Sequence, residues 1–190
     1  KLTRPTKVTD KTDFNLDLSL QVGKYDIQKL LGKGATGTVY LARDTFTGKE
    51  VALKTIEPEV FRDPEFGTVY RSQFLNEASL AGKLRHPYIV NILDAVVGED
   101  SGHIAMELVT GGSLRDLLKQ RAESGQGWEL VRGVELLRQA ADGLAYAHAR
   151  GMVHRDVKPD NMLLTAPDRP DEPPTLKVSD FGLARLAEGS

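Results

Sequence analysis

The chain has 190 residues, 40% of them hydrophobic and 27% charged, with a formal net charge of -2. That is enough apolar material for one domain or two small lobes, and the near-neutral balance gives no basic excess for nucleic acid and no acidic solvating tail. The absence of cysteine excludes disulfides, thiolate catalysis and zinc–thiolate sites and fits a reducing compartment.

No apolar run approaches the roughly 20 residues that span a bilayer. The start at Lys1 without an apolar signal segment reads as a piece of a longer protein. Residues 1–24, rich in Thr, Asp and Lys, read as a flexible leader, or as a regulatory arm whose threonines accept phosphate.

From Tyr25 the pattern sharpens. Tyr25 to Leu31 reads as a strand, followed by Gly32-Lys33-Gly34-Ala35-Thr36-Gly37 and then by Thr38 to Ala42, a second strand of alternating apolar residues. Thr47-Gly48-Lys49 signals a turn, and Glu50 to Lys54 returns as the next strand. Phe74, Ala78, Ala81 and Leu84 recur at helical spacing, predicting a helix over 74–84. Two more strands are expected over 89–97 and 103–109. Residues 25–109 thus form a sheet with one helix.

In residues 110–190 the character becomes helical. Ser113-Leu114-Arg115-Asp116 is a capping box opening a helix through Lys119. Val134 to Ala149 predicts a longer helix with an apolar stripe at Val134, Leu137, Ala141, Leu144 and Ala145. The proline-rich stretch 165–175 should be a loop. Trp128 and Met152 read as packing residues.

The Gly-x-Gly-x-x-Gly string is weak on its own: with 18 glycines in the chain it would arise by chance about once in six such sequences. Context discriminates. A dinucleotide fold would follow this string with a helix, and a Walker loop needs Lys then Ser/Thr after Gly37, where Thr38-Val39 stands. A glycine hairpin remains, either an ordinary turn or a cover whose backbone N–H groups approach phosphate oxygens. Lys54 ends an apolar strand, where a lysine is costly to bury alone. Glu77, on the following helix, is a candidate ion-pair partner, or the two are unrelated surface charges.

The strongest signal is His154-Arg155-Asp156-Val157-Lys158-Pro159-Asp160-Asn161, followed by Asp180-Phe181-Gly182. Together with the glycine string and Val51-Ala52-Leu53-Lys54, this order closely resembles the protein kinase family. The resemblance runs from about Tyr25 to Arg185. The wording from Gly143 through Leu164 is most similar to bacterial kinases of eukaryotic type. Antibiotic phosphotransferases share the broad fold but typically carry Gly where Arg155 stands.

The resemblance implies an α+β, two-lobed fold with an antiparallel-sheet first lobe and a partial, mainly helical second lobe. It implies ATP-dependent transfer of the γ-phosphate to protein Ser/Thr hydroxyls, with Mg2+ as the metal. Gly32, Lys33, Gly34 and Gly37 match the phosphate-covering loop, and Leu31, Val39 and Ala52 enclose adenine. Lys54 matches the phosphate-anchoring lysine and Glu77 its helix partner. Met106 is the gatekeeper, the backbone of Glu107 and Val109 faces adenine, and Leu163 forms its floor.

Asp156 matches the base that accepts the hydroxyl proton, and Lys158 the lysine that neutralises the γ-phosphate and marks Ser/Thr specificity. Asn161 and Asp180 match the magnesium ligands, and Arg155 the anchor for a phosphorylated activation segment. The implied partners are a protein substrate and, for autophosphorylation, a second kinase copy. The implied location is the cytoplasm, alone or as the cytoplasmic part of a membrane-anchored protein. No Ala-Pro-Glu follows Gly182, so the peptide-binding side is expected to be missing and the fragment weakly active. A non-catalytic, kinase-like nucleotide-binding or docking module is the alternative.

Overall fold

The computed structural model describes residues 20–34, 37–56, 67–98, 101–125, 127, 129–166 and 173–181. Most of the leader, Ala35-Thr36 of the glycine loop, Trp128 and Gly182 lie outside the described residues. Six strands form one antiparallel sheet: β1 (Gln21–Val22), β2 (Tyr25–Gly34), β3 (Gly37–Asp44), β4 (Glu50–Ile56), β5 (Ile92–Val97) and β6 (Gly102–Glu107), in the order β1-β2-β3-β4-β6-β5. The sheet therefore begins within the stretch read as leader, where two residues are too few to show a period. β2 shifts register against β3 twice, between Ile27 and Lys29 and between Leu30 and Gly32. Such bulges bend a strand locally, here as it enters the glycine hairpin.

Alternation along β4 divides its side chains between two environments. Val51 and Leu53 join Tyr25, Ile27, Ala42 and Ala105 in one apolar cluster. Ile56, on the face shared with Ala52 and Lys54, packs with Phe74, Ala78 and Ile104. Phe74 and Ala78 belong to α1 (Gly67–Ala81), so the helix lies against the face that carries Lys54. α1 starts seven residues before the expected Phe74, because Thr68 to Gln73 add no buried position to the period read from Phe74. It ends at Ala81, and Leu84 reaches the core from a turn in which its N–H donates to Ala81 O.

The strand expected from Ile89 begins only at Ile92. Ile89 and Val90 instead meet β8 (Leu176–Val178): Val90 N–H donates to Val178 O and Val178 N–H to Tyr88 O, both at 2.9 Å. This joint ties the two lobes through backbone. β6 ends at Glu107, so Leu108 and Val109 continue as non-strand backbone.

The second lobe contains α2 (Leu114–Ser124), α3 (Leu130–His148), a 3-10 turn (Pro159–Asn161) and the hairpin of β7 (Met162–Leu164) with β8. The capping box at Ser113 and Asp116 forms as the sequence predicts, and α2 runs past Lys119 until Gly125 closes it at φ 66. On α3 the buried positions are Leu136, Gln139, Ala140, Gly143 and Ala147. Leu136, Ala140 and Ala147 pack with Leu114, Met162, Leu164, Leu176 and Val178, and the same core takes in Ala81, Leu84 and Ile89 from the first lobe.

The stripe expected at Val134 and Leu137 lies elsewhere on the helix: those side chains are 56% and 61% exposed. α3 has two apolar faces, and the sequence period alone did not say which one faces the core.

Candidate active site

The lobes enclose a cleft of about 520 Å3 whose lining includes Leu31, Val39, Ala52, Met106, Glu107, Val109 and Leu163. Each was expected around adenine from the resemblance. They come from both sides of the fold: Leu31 and Val39 from the β2–β3 hairpin, Ala52 from β4, Met106 and Glu107 from β6, and Leu163 from β7. Gly32 lines the cleft as well, whereas Lys33 and Gly37 do not. Gly37 has a separate structural reason to be glycine. Its φ is 156, and a Cβ there would run into the backbone carbonyl of Thr55 on the paired strand. The sequence reading passed over Asp116, which also lines the cleft. Its capping-box signal concealed a position at the cleft wall.

At the inner end, Lys54 is 8% exposed and donates from Nζ to Asp180 Oδ1 at 2.9 Å. This corrects the expected pairing with Glu77. Glu77 Oε1 instead lies 3.6 Å from Arg155 Nη1. The reason is tertiary. Asp180 arrives from β8, directly beneath the sheet face that carries Lys54, and a buried ammonium takes the carboxylate within hydrogen-bond reach.

Arg155 and Asp180 both hold left-handed backbone, at φ 66 and 61, and are the only non-glycine residues among those described with positive φ. Such conformations cost about 1–3 kcal/mol and persist only where surroundings impose them. The surroundings here are explicit. His154 is 1% exposed, and its Nε2 lies 2.7 Å from Ser179 O. Its Nδ1 accepts from Asp156 N–H at 3.2 Å, and its ring packs edge-on to Phe181 at 4.6 Å. With Nδ1 accepting, the proton sits on Nε2, which donates to Ser179 O; this tautomer follows from the partners. Burial holds His154 below the ordinary histidine value. One neutral ring thereby positions the backbone before both Asp156 and Asp180.

Asn161 Nδ2 donates to Asp156 O and to Asp156 Oδ2, each at 2.9 Å. Lys158 Nζ lies 2.7 Å from the same Oδ2. The hydrogen bond from Lys158 holds the Asp156 carboxyl below its ordinary value and raises Lys158. Because Nδ2 of Asn161 is committed to Asp156, its Oδ1 is the atom left for a cation. Asp180 adds a carboxylate whose Oδ2 also accepts from Ser179 Oγ at 3.3 Å. Among the described residues no three His, Cys, Asp or Glu side chains cluster into a metal cage. An amide oxygen with one carboxylate instead suits magnesium, a hard ion that keeps waters and shares its shell with phosphates.

The protein kinase domain family matches residues 25–190. The chain belongs to that family. Among its relatives, the serine/threonine-protein kinase PknD of Mycobacterium tuberculosis is 42% identical over 169 residues, which is 88% of this chain and 23% of PknD. A probable serine/threonine-protein kinase of Streptomyces coelicolor is 38% identical over 169 residues, 86% of this chain and 23% of that protein. The crystal structure of the M. tuberculosis PknI kinase domain superimposes with a TM-score of 0.71 at 30% identity, covering 88% of this chain and 63% of that one. This kinase chain thus spans about a quarter of the length of these curated relatives. Among its described residues no helix is long and apolar enough to cross a membrane.

Proposed function

We propose that this kinase chain carries the ATP side of a serine/threonine protein kinase and transfers the γ-phosphate of Mg-ATP to a protein hydroxyl. The observation that supports this best is a pair of charged clusters, Asp156 with Lys158 and Asn161, and Asp180 with Lys54, bridged by Ser179, whose N–H donates to Asn161 O, and reaching the cleft through Ser179 and Asp180. Phosphoryl transfer needs little covalent help from the protein; it needs the hydroxyl aimed in line and the charge of the transferring group neutralised. Asp156 is ionised at neutral pH, held low by Lys158. It is therefore a weak base, suited to orient the hydroxyl and to take its proton late. Lys158, freed from Asp156 by an incoming phosphate, supplies positive charge beside the acceptor.

Asn161 Oδ1 and the Asp180 carboxylate would hold magnesium, which when bound bridges and neutralises the phosphates. Lys54 would exchange Asp180 for a phosphate oxygen. The apolar walls Leu31, Val39, Ala52 and Leu163 would enclose adenine while the backbone of Glu107 and Val109 reads its edge. We further propose that the first lobe, which takes in β1 from the end of the leader, runs to Val109 and that a second lobe lies beyond it. Its substrates would be proteins offering Ser or Thr, a second copy of the kinase included, and its compartment the cytoplasm.

The test uses the complete kinase domain with a generic basic protein substrate. Asp156→Asn should abolish phosphate incorporation while ATP affinity stays within a few-fold. Retention of rates near about 1–100 per second in that variant would remove Asp156 from the reaction. ATP binding without phosphate incorporation by the unsubstituted domain would favour a docking module.

A further inference from the structure

Behind the cleft, on the side away from Lys54, a second charged group joins three segments distant in sequence. Glu107, the last residue of β6, uses both carboxylate oxygens: Oε1 accepts from Lys177 Nζ at 2.6 Å and Oε2 from Asn91 Nδ2 at 3.0 Å. Asn91 closes the ring through backbone, its carbonyl accepting from Glu107 N–H at 3.0 Å. The ion pair is largely sheltered, with side chains 18% and 26% exposed. Asn91 Oδ1 is buried and has no hydrogen-bond partner, so the amide is held through Nδ2 and the carboxylate alone. A flipped amide would turn an oxygen toward Glu107, which the charge forbids.

Each end of this tie adjoins a cleft residue. Glu107 and Val109 line the cleft at the crossing between lobes. Lys177 sits opposite Leu163 in the β7–β8 register, three positions before Asp180. Asn91 immediately precedes β5, whose Ile92 pairs with Met106. The carboxylate of Glu107 therefore fixes, from behind, the peptide whose front edge faces the cleft, and fixes it relative to the strand leading to Asp180. A two-oxygen acceptor with one charged and one amide donor sets direction as well as distance. None of the three side chains takes part in the phosphate chemistry, yet removing either donor leaves Glu107 partly sheltered and short of a partner.

We propose that Lys177 and Asn91 are positioning residues for nucleotide binding: they hold Glu107 so that the inter-lobe backbone presents a fixed hydrogen-bonding edge to adenine. This rests on the reading of the cleft as an ATP site. Lost pre-organisation of a binding edge appears as weaker binding, while a group that acts only in the transition state appears in kcat. Lys177→Met should thus raise KM for ATP about three- to tenfold with kcat within about twofold. Asn91→Ala should act in the same direction and less. Lys177→Arg, which keeps charge and reach, should retain most of the affinity.

The experiment measures rates against ATP concentration for the complete kinase domain and these three variants. It also measures ATP affinity by calorimetry below each variant's melting transition. The direct titration separates the two readings. If the unsubstituted protein binds ATP without turning it over, the transfer reading fails and the affinity shifts still test the tie. An unchanged Kd and KM in folded Lys177→Met overturns the proposal. So does a rise in kcat at unchanged KM, which would make the tie a restraint on lobe closure. Should Lys177→Met not fold, the Asn91→Ala and Lys177→Arg pair decides: loss of affinity in the first with retention in the second supports positioning, and equal affinities in both overturn it.

Discussion

Lys54 Nζ and Asp180 Oδ1 lie 2.9 Å apart, joining the central strand of the first lobe to the segment that follows β8 in the second. The side chains are 10% and 28% exposed. Lys54 is thus held by the same carboxylate proposed to take magnesium, while Glu77 faces Arg155. In this arrangement the ion pair occupies the groups that ATP would engage, and binding has to exchange one set of partners for the other.

Two outcomes follow from that pair. Lys54→Met and Asp180→Asn should each destabilise the folded protein by about 2 kcal/mol, since each leaves a sheltered charge uncompensated. The double variant should cost less than the sum, and denaturation of all four proteins measures the coupling. Separately, Asp180→Ala should weaken ATP binding about tenfold or more with magnesium and change it little without. Equal affinities in calorimetric titrations with and without the metal would remove Asp180 as its ligand.

Gly143 on α3 gives a prediction opposite in sign to helix propensity. Alanine is favoured over glycine in a helix by about 1 kcal/mol. A Cβ at 143, however, would stand 2.9 Å from the Tyr88 carbonyl oxygen and 3.3 Å from Ile89 Cγ1. Those residues form the joint with β8, and backbone cannot yield cheaply. Gly143→Ala should therefore destabilise the fold by about 1–3 kcal/mol, read as a lower denaturation midpoint at unchanged slope. A more stable variant would mean that the helix stands off from this joint.

The buried histidine ring makes stability depend on pH with a defined sign. Burial depresses His154 in the folded protein, while the unfolded chain takes up the proton near pH 6.5. The folded state is then fully favoured above about 6.5 and loses stability as pH falls through the lower folded value, because the unfolded state binds more protons there. His103, also depressed by burial, adds to the same slope. Ring NMR should show His154 mostly neutral at pH 6.5, with the melting temperature falling as pH drops below about 6.5. A His154 ring half-protonated at or above 6.5 would contradict the Nε2–H donation to Ser179.

The outer face of α3 carries Leu130, Val134 and Leu137, which are 78%, 56% and 61% exposed. Recurring at helical spacing, they form one apolar strip open to water, a common origin of association. The 190-residue chain should self-associate at micromolar concentration, as measured by sedimentation. Replacing the three with Gln should return it to monomer while changing unfolding free energy by about 0.5 kcal/mol or less per site. Association that persists unchanged would assign it to another surface.

Much of this kinase domain was legible from residue order. The family lay in His154 through Asn161 and Asp180-Phe181, because the chemistry demands several polar groups at fixed local spacing. The capping box at Ser113 was legible because its two partners stand three residues apart. Boundaries were less so: α1 already includes Gly67, ahead of the buried period that starts at Phe74, and the strand read from Ile89 starts at Ile92, because Ile89 and Val90 are taken by β8.

What residue order determined was therefore the kinase family and the α+β alternation, both carried by near neighbours along the chain. Tertiary structure decided how those groups pair. Lys54 could take either Glu77 or Asp180, and the choice rests on which carboxylate the packed lobes bring within about 3 Å, since a sheltered ammonium left without a partner is costly. It also decided which apolar face of α3 is core, since Leu136 and Leu137 are equally hydrophobic and only contact with β8 distinguishes them. The ring of Asn91, Glu107 and Lys177 belongs wholly to that level: three ordinary polar residues without a shared motif, made into one unit by the joining of the lobes.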